Sequence, residues 1–332
     1  MRTPRIKVAP ELGEAAYHCL TRTVNGERLF DDTAKEILRR QLWIVGEFCG
    51  VRIVTYQVLG NHFHVLVVVP KKVAIPDAEL LRRYRLLHPQ PTRYQAARLN
   101  VIESQLSENG PDAVAWRCRM LALMGDVSQY MKLLKQRFSI WFNKSHGRFG
   151  TLWSERFKSV LVEGGGRVLR TMAAYIDLNC VRAGLAEDPK DYRFGGYAEA
   201  VGGRESAREG LKWVCGGNDW AETQSIYRRL IFGTGMAPRI GGAAITAAAF
   251  KAVMAEGGKL ALAEVLRCRI RYFSDGAVLG SKAFVEAQLA AYRLKTGRRG
   301  GSGPRELPPI AEWGELAVMR PLRRQTVGSS RF

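Results

Sequence analysis

The chain has 332 residues, 46% hydrophobic and 25% charged, with 51 Lys and Arg against 31 Asp and Glu, a formal net charge of +20. That length suits about two domains, and the composition argues against a disordered tail. A basic excess of this size selects a polyanionic partner, nucleic acid ahead of an anionic membrane surface.

No run of about 18 apolar residues, secretory leader or lipidation motif stands in the sequence, so a cytoplasmic protein is expected, nucleoid-associated when bound to DNA. The six cysteines, Cys19, Cys49, Cys118, Cys180, Cys215 and Cys268, form no C-x-x-C pair. That argues against a zinc ribbon or a disulfide framework.

In chain order, a basic arm (MRTPRIKVAP) precedes a β-rich stretch at 14–24. Residues 30–50 have Asp caps, apolar residues at helical spacing and a stop at Gly50, which predicts a helix. VRIVTYQVL (51–59) and HFHVLVVV (62–69) are two strands around Gly60-Asn61, a hairpin signal. Residues 77–125 are helical and charged, an insertion. A helix follows at 126–147, begun by Asp126 or Ser128 and ended at Gly147. A strand at 156–163 and a second amphipathic helix at 164–184 complete the series.

The order β-α-β-β-α-β-α predicts an α+β fold of the ferredoxin-like or RRM-like kind. Such a fold has an antiparallel sheet with helices on one face and the other face open to a ligand. The core domain is expected over 1–205, a linker over 206–243 and a helical region over 244–295. Within that region, 261–293 reads as a helix-turn-helix with its turn at 275–280, or equally as plain helical packing. A flexible basic tail is expected over 296–332.

The chemistry centres on two histidines. Side chains alternate along a strand, so His62 and His64 project from one face while Phe63, Val65, Val67 and Val69 take the other. This is either a two-imidazole metal clamp or a chance pair. A histidine-triad hydrolase would want a third His where Leu66 stands, and a cupin would want an all-β chain. A third possibility needs a nucleophile elsewhere. Tyr175 and Asn179, in YIDLN, are four apart on a helix and so share a face. An Asn amide oxygen suits Mg²⁺ or Mn²⁺, and imidazole can join it on Mn²⁺ or a similar ion. A tyrosine can attack phosphorus if positive charge lies close to it, because a phenol ordinarily ionises near pH 10. Taken alone, Tyr175 is equally an amphipathic residue on a core helix.

Together NHFHVLV, GTLWSERFKSVLVE, AAYIDLNCVRAGL and the opening YHCLTRTVNGERLF resemble the HUH single-tyrosine transposases, in particular the REP-associated tyrosine transposases, over about residues 5–200. The resemblance implies a metal-dependent single-stranded DNA endonuclease and strand transferase acting next to DNA hairpins. It implies that His62 and His64 bind a divalent metal, Mg²⁺ or Mn²⁺, with Asn179 helping, and that Tyr175 is the nucleophile. Tyr175 would form a 5′-phosphotyrosine link and release a 3′-OH. The chain departs from the family pattern at Cys180, where Pro is usual, and at Leu59-Gly60, where a Met-Ser pair is usual. Neither change removes a catalytic group.

Tyr130, on the basic helix, is the alternative nucleophile, but its i+4 neighbour Leu134 cannot ligate metal. Between 126 and 170 nine Lys and Arg face three Asp and Glu. Lys132, Lys135, Arg137, Lys144, Arg148 and Lys158, with Arg182 near the end of the tyrosine helix, are the expected DNA contacts. Arg182 can equally cap that helix. Trp141, Phe142 and Trp153 are candidates for stacking on bases, though aromatics at helical spacing are usually core. A homodimer is compatible with the sequence. The rival reading is a catalytically silent DNA-binding protein or repressor on the same fold, and an RNA-binding module is a third. Aromatics on the ligand face, where this chain has histidines, would favour that third reading.

Overall fold

The alternating strands and the helix caps organise the first half of the chain. The computed structural model describes residues 5–9, 13–236, 277–297, 303–306 and 317–319. The elements open as β1 (Ala15–Arg22), α1 (Asp32–Cys49), β2 (Arg52–Val58) and β3 (His62–Val69). Three helices follow, α2 (Asp77–Leu86), α3 (Arg93–Glu108) and α4 (Pro111–Leu121), then α5 (Val127–Ser145) and β4 (Lys158–Val162). α1 starts where the Asp31 carboxylate accepts the Ala34 N–H at 2.7 Å. It stops at Gly50, whose φ of 65° is left-handed and suits a residue without a side chain. The segment 77–125 is helical, as its composition predicts.

Among the described residues the sheet has seven strands in the order β2-β3-β1-β4-β5-β7-β6. The first four are antiparallel and consistent with a ferredoxin-like core. The register sets Leu20 opposite His64 and Arg22 opposite His62. Leu20 also lies opposite Lys158 on β4. One sheet face therefore carries His18, Leu20, Arg22, His62, His64, Leu66 and Lys158. The other carries Tyr17, Cys19, Phe63, Val65 and Val67, which are buried with Leu38, Leu42 and Val45 of α1 and Leu134 and Phe138 of α5. Each large apolar side chain sealed in that layer contributes about 1.5–3 kcal/mol.

The histidine face is not open, as expected from the sequence, but covered. Its inner half is apolar, with Leu66, Val68, Val160 and Val162 all buried, and such a surface needs a second layer. α6 (Gly166–Asp177) supplies it, followed by α7 (Asn179–Arg182), α8 (Gly196–Val201), α9 (Glu205–Cys215) and α10 (Trp220–Met236). Residues 206–236 are thus packed helices rather than a linker. Leu211, Val214, Tyr227 and Ile231 are buried in the core. Gly210 brings α9 so close to β2 that a Cβ there would lie 2.6 Å from the Ile53 carbonyl oxygen.

The later segments also depart from expectation. The turn read at 275–280 runs into β5 (Val278–Gly280), which pairs in parallel with β4. α11 (Lys282–Thr296) follows. The first helix of the supposed helix-turn-helix, and the rest of 237–276, lie outside the described residues. The expected tail contributes β6 (Arg305–Glu306) and β7 (Ala317–Met319) to the same sheet. Backbone pairing wins there because β4 would otherwise leave an unpaired edge. The junction is tied by Glu163, whose carboxylate accepts the Ser281 N–H at 2.6 Å and its hydroxyl at 3.0 Å. Among the described residues no helix is long and apolar enough to cross a membrane.

Candidate active site

β3 and α6 bring His62, His64 and Tyr175 together. The His62 and His64 rings lie 5.2 Å apart, as expected for i and i+2 on one face of a strand. The Tyr175 ring meets His64 edge-on, with centroids 6.2 Å apart. His64 and Tyr175 are buried, while His62 at the strand end is half-buried.

Two residues not singled out from the sequence complete the group. His18 of β1 is buried, and its Nε2 lies 2.8 Å from Nδ1 of His64. Its ring also meets Tyr175 edge-on at 6.2 Å. The signal was present, since His18 alternates in register with the β3 pair, but pairing between β1 and β3 had to be known to use it. The second is Asn61, which fixes His62. Its Nδ2 donates to the Gly26 carbonyl at 2.8 Å, and a carbonyl can only accept, so Oδ1 is the atom 2.6 Å from His62 Nδ1. His62 Nδ1 must then carry the proton and donate, which makes Nε2 the lone-pair nitrogen.

The site is electrostatically uneven. Burial, with help from His18, His62, Arg22 and Arg182, holds His64 well below the ordinary imidazole range. His64 is therefore neutral at pH 7, with one ring nitrogen protonated and the other bearing a lone pair. Arg182 lies over the phenol ring of Tyr175, its guanidinium carbon 4.6 Å from the centroid, and donates to the Tyr175 carbonyl at 2.7 Å. The second contact is that of a helix cap, and the guanidinium also places positive charge beside the tyrosine ring. Asn179 donates through Nδ2 to the carbonyls of Tyr175 and Ile176, both at 3.1 Å, so Oδ1 is its remaining ligating atom. Among the described residues no group of three or more His, Cys, Asp or Glu is arranged to hold an ion. Of the three donors expected from the sequence, the two imidazoles share one face, and the contacts of Asn179 are to the Tyr175 and Ile176 carbonyls of its own helical segment.

Behind Tyr175, Asp177 anchors the helix end. Its carboxyl is fully buried, accepts from Thr55 Oγ1 at 2.8 and 3.0 Å and from the Tyr227 hydroxyl, and has no cationic partner among its hydrogen bonds. Burial pushes its pKa up to about 7, against the lowering effect of those hydrogen bonds.

Tyr130 is not part of this group. It is fully buried on the opposite side of the sheet, its hydroxyl 3.4 Å from the Leu42 carbonyl, and burial holds it well above the ordinary phenol range. The cations divide as well. Lys132, Lys144 and Lys158 are exposed. Lys135 donates to the Glu155 carbonyl at 2.8 Å and Arg137 to the Leu87 carbonyl at 2.8 Å, so both are engaged inside the fold. Arg148 lies beside the Phe142 ring.

The three aromatics suggested for stacking are packing residues. Phe142 and Trp153 are buried with Phe30 and Phe138, and Trp141 packs on Phe138. An exposed aromatic close to them in sequence is Phe149, 98% accessible, between Arg148 and Gly150. The segment after it is zipped to the end of β1 through Val24 N–H to Leu152 O at 2.9 Å and Ser154 N–H to Arg22 O at 3.1 Å. Phe149 itself lies in the loop tied to the end of α5 by Arg148 N–H to Asn143 O at 2.9 Å and Asn143 Nδ2 to Gly150 O at 3.0 Å.

No protein-family model matches the chain, and no curated protein does. Among solved structures it is similar to a REP-associated tyrosine transposase bound to a REP hairpin, at 14% identity and a TM-score of 0.36, over 61% of this chain and 87% of the other.

Proposed function

We propose that the protein is a single-strand DNA nicking and joining enzyme that uses Tyr175 as its nucleophile. The observation that carries this reading is the convergence of His62, His64 and Tyr175, from two separate elements, on one covered sheet face with Arg182 over the phenol. A structural tyrosine needs none of these neighbours.

In the proposed step, the Tyr175 oxygen attacks a phosphodiester phosphorus. The P–Oη bond forms, the P–O3′ bond breaks, and the departing 3′ oxygen takes up a proton as the phenol loses one. The strand 5′ of the cut leaves with a free 3′-OH, and the 5′-phosphate stays on the tyrosine. A second strand's 3′-OH reverses the exchange and rejoins DNA. One ester replaces another, so no nucleotide cofactor is consumed. Arg182 supplies positive charge where the phosphate gains negative charge.

His62 and His64, through Nε2, and Asn179, through Oδ1, would hold a divalent cation, Mg²⁺ or Mn²⁺. The tautomer fixed by Asn61 and the neutrality of His64 fit that role. When bound, such an ion polarises the scissile phosphate as a Lewis acid. A set with no carboxylate fits weak binding completed by the DNA phosphate.

Lys132, Lys144 and Lys158 would contact the backbone, and Phe149 would stack on an unpaired base beside a hairpin. The test is incubation with labelled hairpin-bearing single strands, with Mn²⁺ or with EDTA. A protein-linked strand that forms only with Mn²⁺ supports the proposal. Tight binding without any linkage, over a panel of hairpins, would favour the silent DNA-binding protein.

A further inference from the structure

The hydrogen bond between His18 and His64 has one ambiguity that decides what His64 can do. Two ring nitrogens 2.8 Å apart share a single proton along the contact. If His18 holds it on Nε2, His64 accepts through Nδ1 and carries its own proton on Nε2. If His64 holds it on Nδ1, its Nε2 bears the lone pair. Only the second arrangement lets His64 ligate a cation, because Nδ1 is occupied by His18 in either case. The neighbouring His62 is already fixed in that same tautomer by Asn61.

We propose that His18 is a positioning residue that holds His64 as the Nδ1–H tautomer, so that the two β3 histidines present matched Nε2 lone pairs. This rests on the metal-dependent reading above. In this role His18 acts on neither the phosphate nor the cation directly. It acts through the ring beside it, as the outer partners of metal-bound imidazoles generally do. The packing suits this role. The two rings lie edge to edge and nearly coplanar, with centroids 5.1 Å apart and planes 13° from parallel, which aligns the two nitrogens, and both are at most 2% exposed, so water does not compete for Nδ1. β1 and β3 are paired along their length, which fixes the spacing without a flexible link.

The tautomer can be measured without metal or DNA. The chain has five histidines, so histidine-selective ¹⁵N labelling and long-range ¹H–¹⁵N spectra resolve each ring. We expect His64 in the wild-type, metal-free protein to carry its proton on Nδ1. His18→Phe removes the acceptor and should move the proton to Nε2, with Mn²⁺ affinity lowered roughly 10- to 100-fold. His18→Gln, which can accept through Oε1 from about the same place, should keep the Nδ1–H tautomer and restore most of the affinity.

A wild-type His64 protonated on Nε2 overturns the proposal, as does a His18→Phe variant with unchanged tautomer and unchanged Mn²⁺ affinity. If wild-type His64 is Nδ1–H but the protein binds no Mn²⁺, the metal reading fails separately. The variant spectra then decide the role of His18 alone, a shift to Nε2–H in His18→Phe supporting it and no shift overturning it.

Discussion

The buried carboxyl of Asp177 gives a pH dependence that can be worked out in advance. It sits two residues after Tyr175, fully buried, hydrogen-bonded to Thr55 and Tyr227. Its folded pKa is raised to about 7 from 3.8. Between those values the folded state binds a proton that the unfolded chain has lost. Stability therefore falls as pH rises from 4 through 7, and the loss is complete above the folded pKa. Three pKa units at about 1.4 kcal/mol each give a loss of roughly 4 kcal/mol. Asp177→Asn removes the ionisation while leaving an oxygen to accept from Thr55 or Tyr227, so this component of the pH dependence disappears. The assay is urea unfolding of both proteins between pH 4.5 and 8.5. The wild type should lose several kcal/mol relative to the variant across that range. A wild-type-minus-variant difference that stays constant with pH would refute the reasoning. So would one that grows in favour of the wild type as pH rises.

Other outcomes follow from contacts elsewhere. Gly210→Ala forces a Cβ against the Ile53 and Val54 carbonyls and should destabilise by about 1–3 kcal/mol, measured by thermal unfolding, because backbone cannot step aside. Trp153→Ala empties part of the cluster around Phe30 and Phe138 and should cost about 3–5 kcal/mol of stability. Phe149→Ala should leave stability unchanged but weaken single-strand binding by about 1–3 kcal/mol, read by fluorescence anisotropy. Arg182→Gln should slow strand linkage on the order of 100-fold with little change in DNA affinity, separated by single-turnover kinetics and binding titration.

The sequence carried the local features of the site and lost the ones that depend on pairing. Alternation alone set His62 and His64 side by side, and helical spacing set Asn179 one turn after Tyr175, although the expected single helix is divided at Leu178 and Asn179 opens α7. His18 was invisible because its partner lies 46 residues away and only the β1–β3 register joins them. Asn61 looked like a turn residue, which it also is; its second role depends on a contact with Gly26. The aromatic suggestions failed for a general reason. Phe142 and Trp153 are large apolar residues near basic ones in sequence, but the hydrophobic gain of the α1–α5 layer claims them. Phe149 stays outside because it sits in a glycine-flanked loop. The helices at 206–236 were missed because the glycines at 202, 203, 210, 216 and 217 read as a linker, although Ala207, Leu211 and Val214 stand at helical spacing. Yet Gly210 is there for close packing rather than flexibility. The short strands β5 to β7 have two or three residues each, too few for alternation to be read.

The most direct test of the central claim is chemical location of the covalent bond. The protein is incubated with a hairpin-bearing single strand and Mn²⁺, the linked product is digested with nuclease and protease, and the modified peptide is sequenced by tandem mass spectrometry. The account predicts a nucleotide 5′-phosphate on Tyr175, absent from Tyr175→Phe and unaffected in Tyr130→Phe. A linkage on Tyr130 or any other residue, or one that survives Tyr175→Phe, would contradict it.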